Sequence, residues 1–141
     1  MFFMTLYISA MLKYILNNKR NKVIDMTTTD KNRELPPKTC TIERLVTVKR
    51  DVENVIKGIK TATRRNGRYA DIGEVMDLNG YQFVVHNVYS QSLGEMKDEH
   101  AQQEGYESLE KYKENILKLH PGMPWSPKMK VWVHEFSPLQ K

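Results

Sequence analysis

The sequence has little of what several large classes of protein require. Its single cysteine, Cys40, excludes an internal disulfide and a cysteine-based zinc site, and we interpret it as a passive thiol in a reducing compartment. The seven glycines form neither a P-loop nor a dinucleotide fingerprint, and no G-x-S-x-G or H-E-x-x-H motif is present. The four histidines are scattered along the chain. We therefore expect no metal site and no cofactor.

What the chain does have is an ordinary globular composition, with 40% apolar and 28% charged residues among 141. This length predicts one domain with a tail. The net charge of +5 is uneven, because residues 1–38 hold seven basic and three acidic residues, whereas residues 39–141 hold fifteen and fourteen. Residues 39–141 are therefore close to neutral, and this charge gives little indication that they bind a long nucleic acid.

The N-terminal segment leaves two interpretations open. Residues 1–16 are apolar but contain Lys13, and they fall short of the roughly 20 residues of a spanning helix. The basic cluster at residues 18–22 follows the apolar run, the reverse of a secretory signal. The segment is either a short uncleaved anchor or an over-called start, with translation beginning at Met26. We expect residues 1–38 to be a disordered extension and linker. We expect no stable membrane association and a cytoplasmic protein.

The pattern along the chain predicts a small α+β domain over residues 39–141, preceded by a polar linker that ends in two prolines. We expect a strand over residues 42–48, a helix capped by Asp51 that starts at Val52 and stops at Gly58, and a polar loop or irregular strand over residues 60–68. Asn79-Gly80 predicts a hairpin between residues 75–78 and a strand that runs to Tyr89.

The second half of the chain predicts two helices and a closing strand. The first helix runs from Gly94 to Glu104 and stops at Gly105. The second starts at Ser108, carries an apolar stripe of Leu109, Tyr112, Ile116 and Leu119, and ends at His120-Pro121-Gly122. Residues 131–136 form the last strand. The hairpins of such a chain can close into a small barrel.

Charge is concentrated in two segments. Residues 49–68 hold seven basic residues, and residues 95–110 hold six acidic ones. Such runs ordinarily form solvent-exposed faces. The functional interpretation is that the basic segment binds phosphate and the acidic segment supplies a carboxylate. Lys60 can act as a general base only where burial or a cation favours its neutral form, and Thr63 is a nucleophile only beside such a base.

Two geometric conditions limit these candidates. In a straight strand Lys60 and Thr63 point to opposite faces, so they converge only if the backbone turns, and an ordinary strand threonine is the alternative. Met96, His100 and Glu104 are spaced four apart, which places them along one face of a helix. That face either borders a pocket or carries an exposed His–Glu pair.

Five short motifs, taken in order over about residues 41–137, resemble those of ASCH domains. Residues 58–65 (GIKTATRR) are similar to the G-x-K-T-x-T-x-R signature, and residues 72–75 (IGEV) resemble the glycine-acid step that follows it. Residues 100–105 (HAQQEG) resemble the H-A-x-x-E-G segment. His120-Pro121-Gly122 and residues 133–136 (VHEF) are similar to the motifs that close the domain.

The resemblance implies a PUA-like fold, a small β-barrel flanked by helices, in a superfamily associated with RNA and modified nucleosides. One branch comprises small amidohydrolases that deacetylate N4-acetylcytidine. It implies that Thr63 attacks the amide, Lys60 takes its proton and Glu104 orients or protonates the substrate. The residues expected to bind substrate or phosphate are Thr61, Arg64, Arg65, Arg68, His100 and Trp125, the last within an insertion at residues 123–127.

Two functions from different classes stay open at this point. The first is an amidohydrolase of an acylated nucleoside. The second is a non-catalytic module that binds RNA or a nucleotide. The near-neutral charge of residues 39–141 favours the enzyme, because a nucleoside pocket needs only a few convergent polar groups, whereas binding of long RNA relies on many phosphate contacts.

Overall fold

The computed structural model describes residue 32 and residues 35–139, and residues 38–141 form one compact unit by their contacts. The predictions for most of residues 1–38, an anchor, a late start or a disordered tail, lie outside the described residues. The described part of this unit has two 3₁₀ turns, three α-helices and four strands: Ile42–Arg44, α1 Lys49–Ile56, β1 Ala62–Arg65, β2 Val75–Leu78, β3 Tyr81–Ser92, Leu93–Glu95, α2 Asp98–Gln103, α3 Leu109–Leu119 and β4 Lys130–Pro138. None of the described helices has the length and apolar character needed to cross a bilayer.

The four strands form one antiparallel sheet in the order β1-β4-β3-β2, curled into a half-barrel. The predicted hairpin is confirmed: Asn79 has φ 56° and Gly80 has φ 92°, as a type I′ turn requires. The predicted closing strand is confirmed in β4, which pairs with both β1 and β3. The α+β small-barrel fold expected from the sequence is therefore correct.

The register of the sheet defines two faces, because residues paired across antiparallel strands point the same way. The face inside the half-barrel, which we call the barrel face, carries Thr63, Met76, Leu78, Phe83, Val85, Val88, His134 and Phe136, all buried. The opposite face, which we call the helix face, carries Ala62, Arg64, Tyr89, Gln91, Val133 and Glu135. Since α2 packs on the helix face, the sheet is covered on both sides.

The strand predicted over residues 42–48 is wrong. Ile42–Arg44 is a 3₁₀ turn, and α1 begins at Lys49. The buried residues Ile42, Leu45 and Val46 are spaced by three and four, which places them on one face of a helical turn packed toward β2. The β-branched composition indicated a strand, whereas the spacing of the buried residues indicated a turn.

The end of α1 was predicted correctly, and its start was not. The helix begins before Asp51, with Val48 at the N-cap and no capping side chain. At its end Gly58 has φ 82°, the Gly58 N–H donates to Val55 O at 3.0 Å, and the Ile59 N–H donates to Asn54 O at 2.8 Å. These two bonds define a Schellman motif. It turns the chain sharply just before Lys60.

The continuous helix predicted from Gly94 to Glu104 is interrupted. Met96 has extended backbone angles (φ −71°, ψ 141°) between the turn Leu93–Glu95 and α2. The turn is held from outside, since the Gly94 N–H donates to Pro127 O at 2.9 Å. Met96 is buried with Leu93, Ala101 and Tyr112, so it belongs to a small apolar cluster rather than to a helical stripe shared with Glu104.

Helix α3 starts as predicted, with the Ser108 hydroxyl accepting the Lys111 N–H at 3.3 Å. Tyr112 is buried, and Leu109 and Ile116 pack against the same apolar cluster. The predicted stripe is too long by one residue, because Leu119 is 62% exposed. The stripe ends where the helix leaves the apolar cluster.

Candidate functional site

A buried carboxylate at the end of α2 holds two cations. Glu104 Oε1 accepts from Lys60 Nζ at 2.7 Å, and Glu104 Oε2 accepts from Arg64 Nη1 at 3.1 Å. Glu104 is 5% exposed, Lys60 4% and Arg64 7%. We call these three residues the ionic cluster. The structure thus brings together two of the three residues that the resemblance implied as catalytic.

Local backbone structure explains how the cluster assembles. The Schellman turn ends α1 one residue before Lys60, whose N–H donates to Asn54 O at 3.0 Å. The next N–H, of Thr61, donates to Gln103 O at 2.8 Å and ties this turn to the end of α2. Gly105, with φ 95°, lets the chain leave α2 directly after Glu104. Lys60 and Glu104 therefore meet at two adjacent glycine-terminated helix ends.

A shell of amide side chains surrounds the cluster. Arg64 Nε donates to Gln91 Oε1 at 2.9 Å, and Arg64 Nη2 donates to Gln103 Oε1 at 3.3 Å. The other end of the Gln103 amide donates to Glu135 Oε2 at 3.4 Å. Gln103 therefore links the buried cluster to Glu135, which is only half-buried.

Four residues form the outer part of the site, which we call the rim: Asn87, Tyr89, Gln103 and Glu135. The Glu135 carboxylate accepts from Asn87 Nδ2 at 3.1 Å and from the Tyr89 hydroxyl at 3.3 Å. Burial, and next the charge of Glu135, raise the pKa of Tyr89, so its hydroxyl stays a donor at neutral pH. Gln91 and the rim residues of the strands were not predicted from the sequence. Their signal is the alternation of polar side chains at 87, 89 and 91, which also fits a solvent-exposed strand face.

The ionic cluster places three charged side chains where water has little access. Two cations and one carboxylate leave a net charge of +1, and desolvation makes such a group costly unless every hydrogen bond is made. Here Glu104 and Arg64 are both multiply bonded.

Thr63 is not part of this assembly. β1 is a regular strand at this point, so Thr63 lies on the barrel face while Arg64 lies on the helix face. No hydrogen bond joins Thr63 to Lys60 or Glu104 within the described residues. Its cross-strand partner is His134, which is fully buried and whose Nε2 accepts the Tyr69 N–H at 3.0 Å. Burial above all lowers the pKa of His134 to about 4, so its ring is neutral.

His100 has a structural contact of its own. Its Nδ1 accepts the Lys97 N–H at 2.9 Å and so caps the start of α2. Burial, and next the Arg64 charge, lower the pKa of His100, which favours the neutral ring that this bond needs. The ring is half-buried, at the N-terminal end of the helix whose C-terminal end carries Glu104.

The remaining residues expected to bind substrate lie apart from the cluster. Thr61 is exposed and contributes backbone bonds. Arg68 pairs with Asp71, and Arg65 donates to Leu45 O on the other side of the sheet. Trp125 packs edge-on against Tyr112 at 6.3 Å, as part of the apolar cluster. Of the expected phosphate-binding arginines, Arg64 and Arg68 are thus already paired with carboxylates.

Among the described residues, no group of three or more His, Cys, Asp or Glu side chains is arranged to hold a metal ion. The ionic cluster also has too few acidic ligands for a cation, since its only carboxylate is shared by two positive side chains. What the cluster shows is a network of charged hydrogen bonds among Lys60, Arg64 and Glu104.

The comparison with known proteins rests on structure. A crystal structure of an ASCH domain from Lactobacillus crispatus has a TM-score of 0.52 and 13% identity, covering 92% of this chain and 91% of that one. A crystal structure of a protein from Enterococcus faecalis with the family designation DUF984 has a TM-score of 0.51 and 18% identity, covering 91% and 89%. Neither a family profile nor a curated relative matches the sequence. These likenesses confirm the ASCH-like small-barrel fold that the motifs predicted.

Proposed function

We propose that this domain hydrolyses an acylated nucleoside of the N4-acetylcytidine type, using Lys60 and Glu104 as a coupled acid and base. The observation that carries the proposal is the buried Glu104 carboxylate, bonded to Lys60 at 2.7 Å and to Arg64 at 3.1 Å. The motifs that the chain shares with the amidohydrolase branch include both members of this pair. The rim supports a nucleoside substrate, because amide and carboxylate groups match the donors and acceptors of a base edge.

The pair can carry out amide hydrolysis in a balanced sequence. Glu104 takes a proton from a water molecule, whose oxygen bonds to the acetyl carbon. The bond from that carbon to N4 breaks, and Lys60 donates a proton to the departing nitrogen. Transfer of the proton from Glu104 to Lys60 across their hydrogen bond restores the pair. The products are cytidine and acetic acid.

Arg64 positions the carboxylate in this scheme. It binds the Glu104 oxygen that Lys60 does not use and is itself fixed by Gln91 at 2.9 Å. A carboxylate held from both sides keeps one orientation toward the substrate, which is the condition for efficient proton transfer. Arg64 is a positioning residue, because its bonds go to Glu104, Gln91 and Gln103 rather than to open space.

The nucleophile in this proposal is water. The resemblance implies Thr63, but its side chain lies on the barrel face, on the other side of the sheet from Lys60 and Glu104. Attack by Thr63 requires β1 to rearrange, whereas attack by water requires no change in the strand. Variants of Thr63 separate the two routes.

The direct test is incubation of the full chain with N4-acetylcytidine, followed by chromatography for cytidine. Lys60→Arg keeps the positive charge but cannot give up a proton at neutral pH, so the rate should fall about 100-fold or more. Lys57→Arg is the matched control, since Lys57 is exposed at the end of α1, and it should keep the wild-type rate. No cytidine release by the wild type, or full activity of Lys60→Arg, would refute the proposal.

A second function is favoured by one observation: both oxygens of Glu104 are already bonded within a cluster that is at most 7% exposed. Such a cluster can serve as a rigid support for a binding module whose ligand touches only the more accessible rim. In that case N4-acetylcytidine binds without turnover, Lys60→Arg changes the affinity little, and Asn87→Ala weakens it. Cytidine release separates this function from the hydrolase.

A further inference from the structure

An open cavity lies away from the ionic cluster. It has a volume of about 670 Å³ and is lined by Glu43, Arg44, Thr47, Val48, Arg65 and Tyr69. Arg65 lies on the same face of β1 as Thr63, whereas Arg64 lies on the opposite face. The strand therefore contributes one face to this cavity and the other face to the ionic cluster. A volume of this order accommodates a small organic ligand.

The two arginines of this cavity differ from the buried cations of the domain, since Arg44 is exposed and Arg65 is half-buried. Lys60 and Arg64 pair with Glu104, and Arg68 pairs with Asp71. Arg44 and Arg65 have no carboxylate partner within the described residues. Arg65 donates to Leu45 O, and its Nε is buried without a hydrogen-bond acceptor. A guanidinium stays charged at all accessible pH values, so an unpaired donor at a cavity wall favours an anionic ligand.

Tyr69 adds an aromatic surface beside these charges. The Arg65 guanidinium lies 5.8 Å from the centroid of its ring. The Tyr69 N–H donates to His134 at 3.0 Å, and the two rings meet edge-on at 6.2 Å. The ring is thus fixed in place by the barrel core while lining the cavity. Arginines beside a fixed aromatic ring match a phosphate joined to a nucleobase.

Glu43 is the one acidic group of the cavity lining. Its own backbone, and next the side chain of Thr41, hydrogen-bond to its carboxylate and lower its pKa, so it is ionised at neutral pH. Its charge offsets one of the two arginines and opposes an anion. Removing that charge should strengthen the binding of an anion, whereas it should weaken the binding of a cation.

We propose that this cavity binds a nucleoside monophosphate, with Arg44 and Arg65 on the phosphate and the Tyr69 ring against the base. The site is separate from the proposed hydrolase site and does not depend on its activity. The near-neutral domain is suited to one phosphate rather than to a long nucleic acid.

The test is calorimetric titration of the full chain at low ionic strength with three probes: AMP, adenosine and inorganic phosphate. AMP should bind more tightly than either of the others. Arg44→Gln should weaken AMP and phosphate about tenfold, the usual loss for one charged hydrogen bond. Arg44 is exposed, so this change leaves the core intact. Lys118→Gln, which makes the same charge change at the exposed end of α3, is the control and should have no effect.

Two further variants separate the parts of the site. Tyr69→Leu should weaken AMP about fivefold or more while leaving phosphate unchanged, because base stacking on an aromatic ring is lost. Tyr69→Phe keeps the ring and should bind like the wild type. Glu43→Gln should tighten AMP roughly twofold to fivefold. The proposal is overturned if AMP binds no better than phosphate, or if Arg44→Gln has no more effect than Lys118→Gln.

Discussion

Lys60 and Glu104 lie 2.7 Å apart at the meeting point of two helix ends, and neither side chain is more than 5% exposed. Arg64 binds the other oxygen of the same carboxylate at 3.1 Å. One carboxylate is thus shared by two buried cations. This relationship gives the cluster both its stability and its proposed chemistry.

The first prediction concerns the stability of this cluster. Glu104→Gln conserves volume, but it leaves Lys60 and Arg64 buried without a counter-charge. The free energy of unfolding should fall by about 3–5 kcal/mol, as measured in urea. The control is Lys38→Gln, which breaks the exposed pair with Glu74 and should cost less than about 1 kcal/mol. A loss below about 1 kcal/mol in Glu104→Gln would contradict the account of the cluster.

The second prediction concerns the nucleophile. Because Thr63 lies on the barrel face, Thr63→Val should retain hydrolysis of N4-acetylcytidine within about threefold, and Thr63→Ser should behave the same way. Rates of cytidine release measure this, and mass spectrometry of the quenched enzyme should find no acetyl group on Thr63. An inactive Thr63→Val with a partly active Thr63→Ser would instead assign the attack to this hydroxyl.

The third prediction concerns pH. The pKa of His134 is about 4 in the folded domain and about 6.5 when unfolded, so the unfolded chain binds the extra proton first as the pH falls. The stability contributed by the neutral ring is complete above about pH 6.5 and is lost as the pH falls toward 4. We expect the free energy of unfolding to fall by about 3 kcal/mol over this pH range. Urea unfolding at several pH values measures it.

Two variants isolate this histidine. His134→Gln cannot titrate, so its stability should fall less than that of the wild type between pH 7 and pH 4. His120→Gln, at the exposed end of α3, should keep the wild-type pH dependence. Identical pH dependence in His134→Gln and the wild type would show that the buried ring is not responsible.

The parts of the fold that the sequence predicts well follow from local rules. Asn79-Gly80 and the stops at Gly58 and Gly105 are correct because positive φ is a property of one or two residues. The strand predicted over residues 42–48 is wrong because the spacing of Ile42, Leu45 and Val46, typical of a helical turn, outweighs the β-branched composition. The break at Met96 depends on bonds from residues 127–129 to the turn Leu93–Glu95, which no local pattern contains.

The residues of the candidate site also divide into those predicted from local motifs and those that depend on long-range contacts. Lys60 and Glu104 lie in the motifs that resemble those of ASCH domains, and the structure brings them together. Thr63 lies in the same motif, but strand alternation takes it to the other face. Gln91 and Glu135 reach the site only through the register of β3 and β4, a long-range property that spacing along the chain does not contain. The pairing of Arg64 with Glu104 likewise appears only once α2 is docked on the sheet.

The central claim is that Lys60 and Glu104 act as one catalytic unit, and a double-mutant cycle on kcat/KM for N4-acetylcytidine tests it most directly. The variants are Lys60→Arg, Glu104→Gln and the double change, each assayed at a temperature where circular dichroism shows it folded. We predict that each single change lowers kcat/KM by about 100-fold or more and that the double change lowers it little further. Losses that multiply in the double variant, or a single variant with wild-type kcat/KM, would contradict the claim.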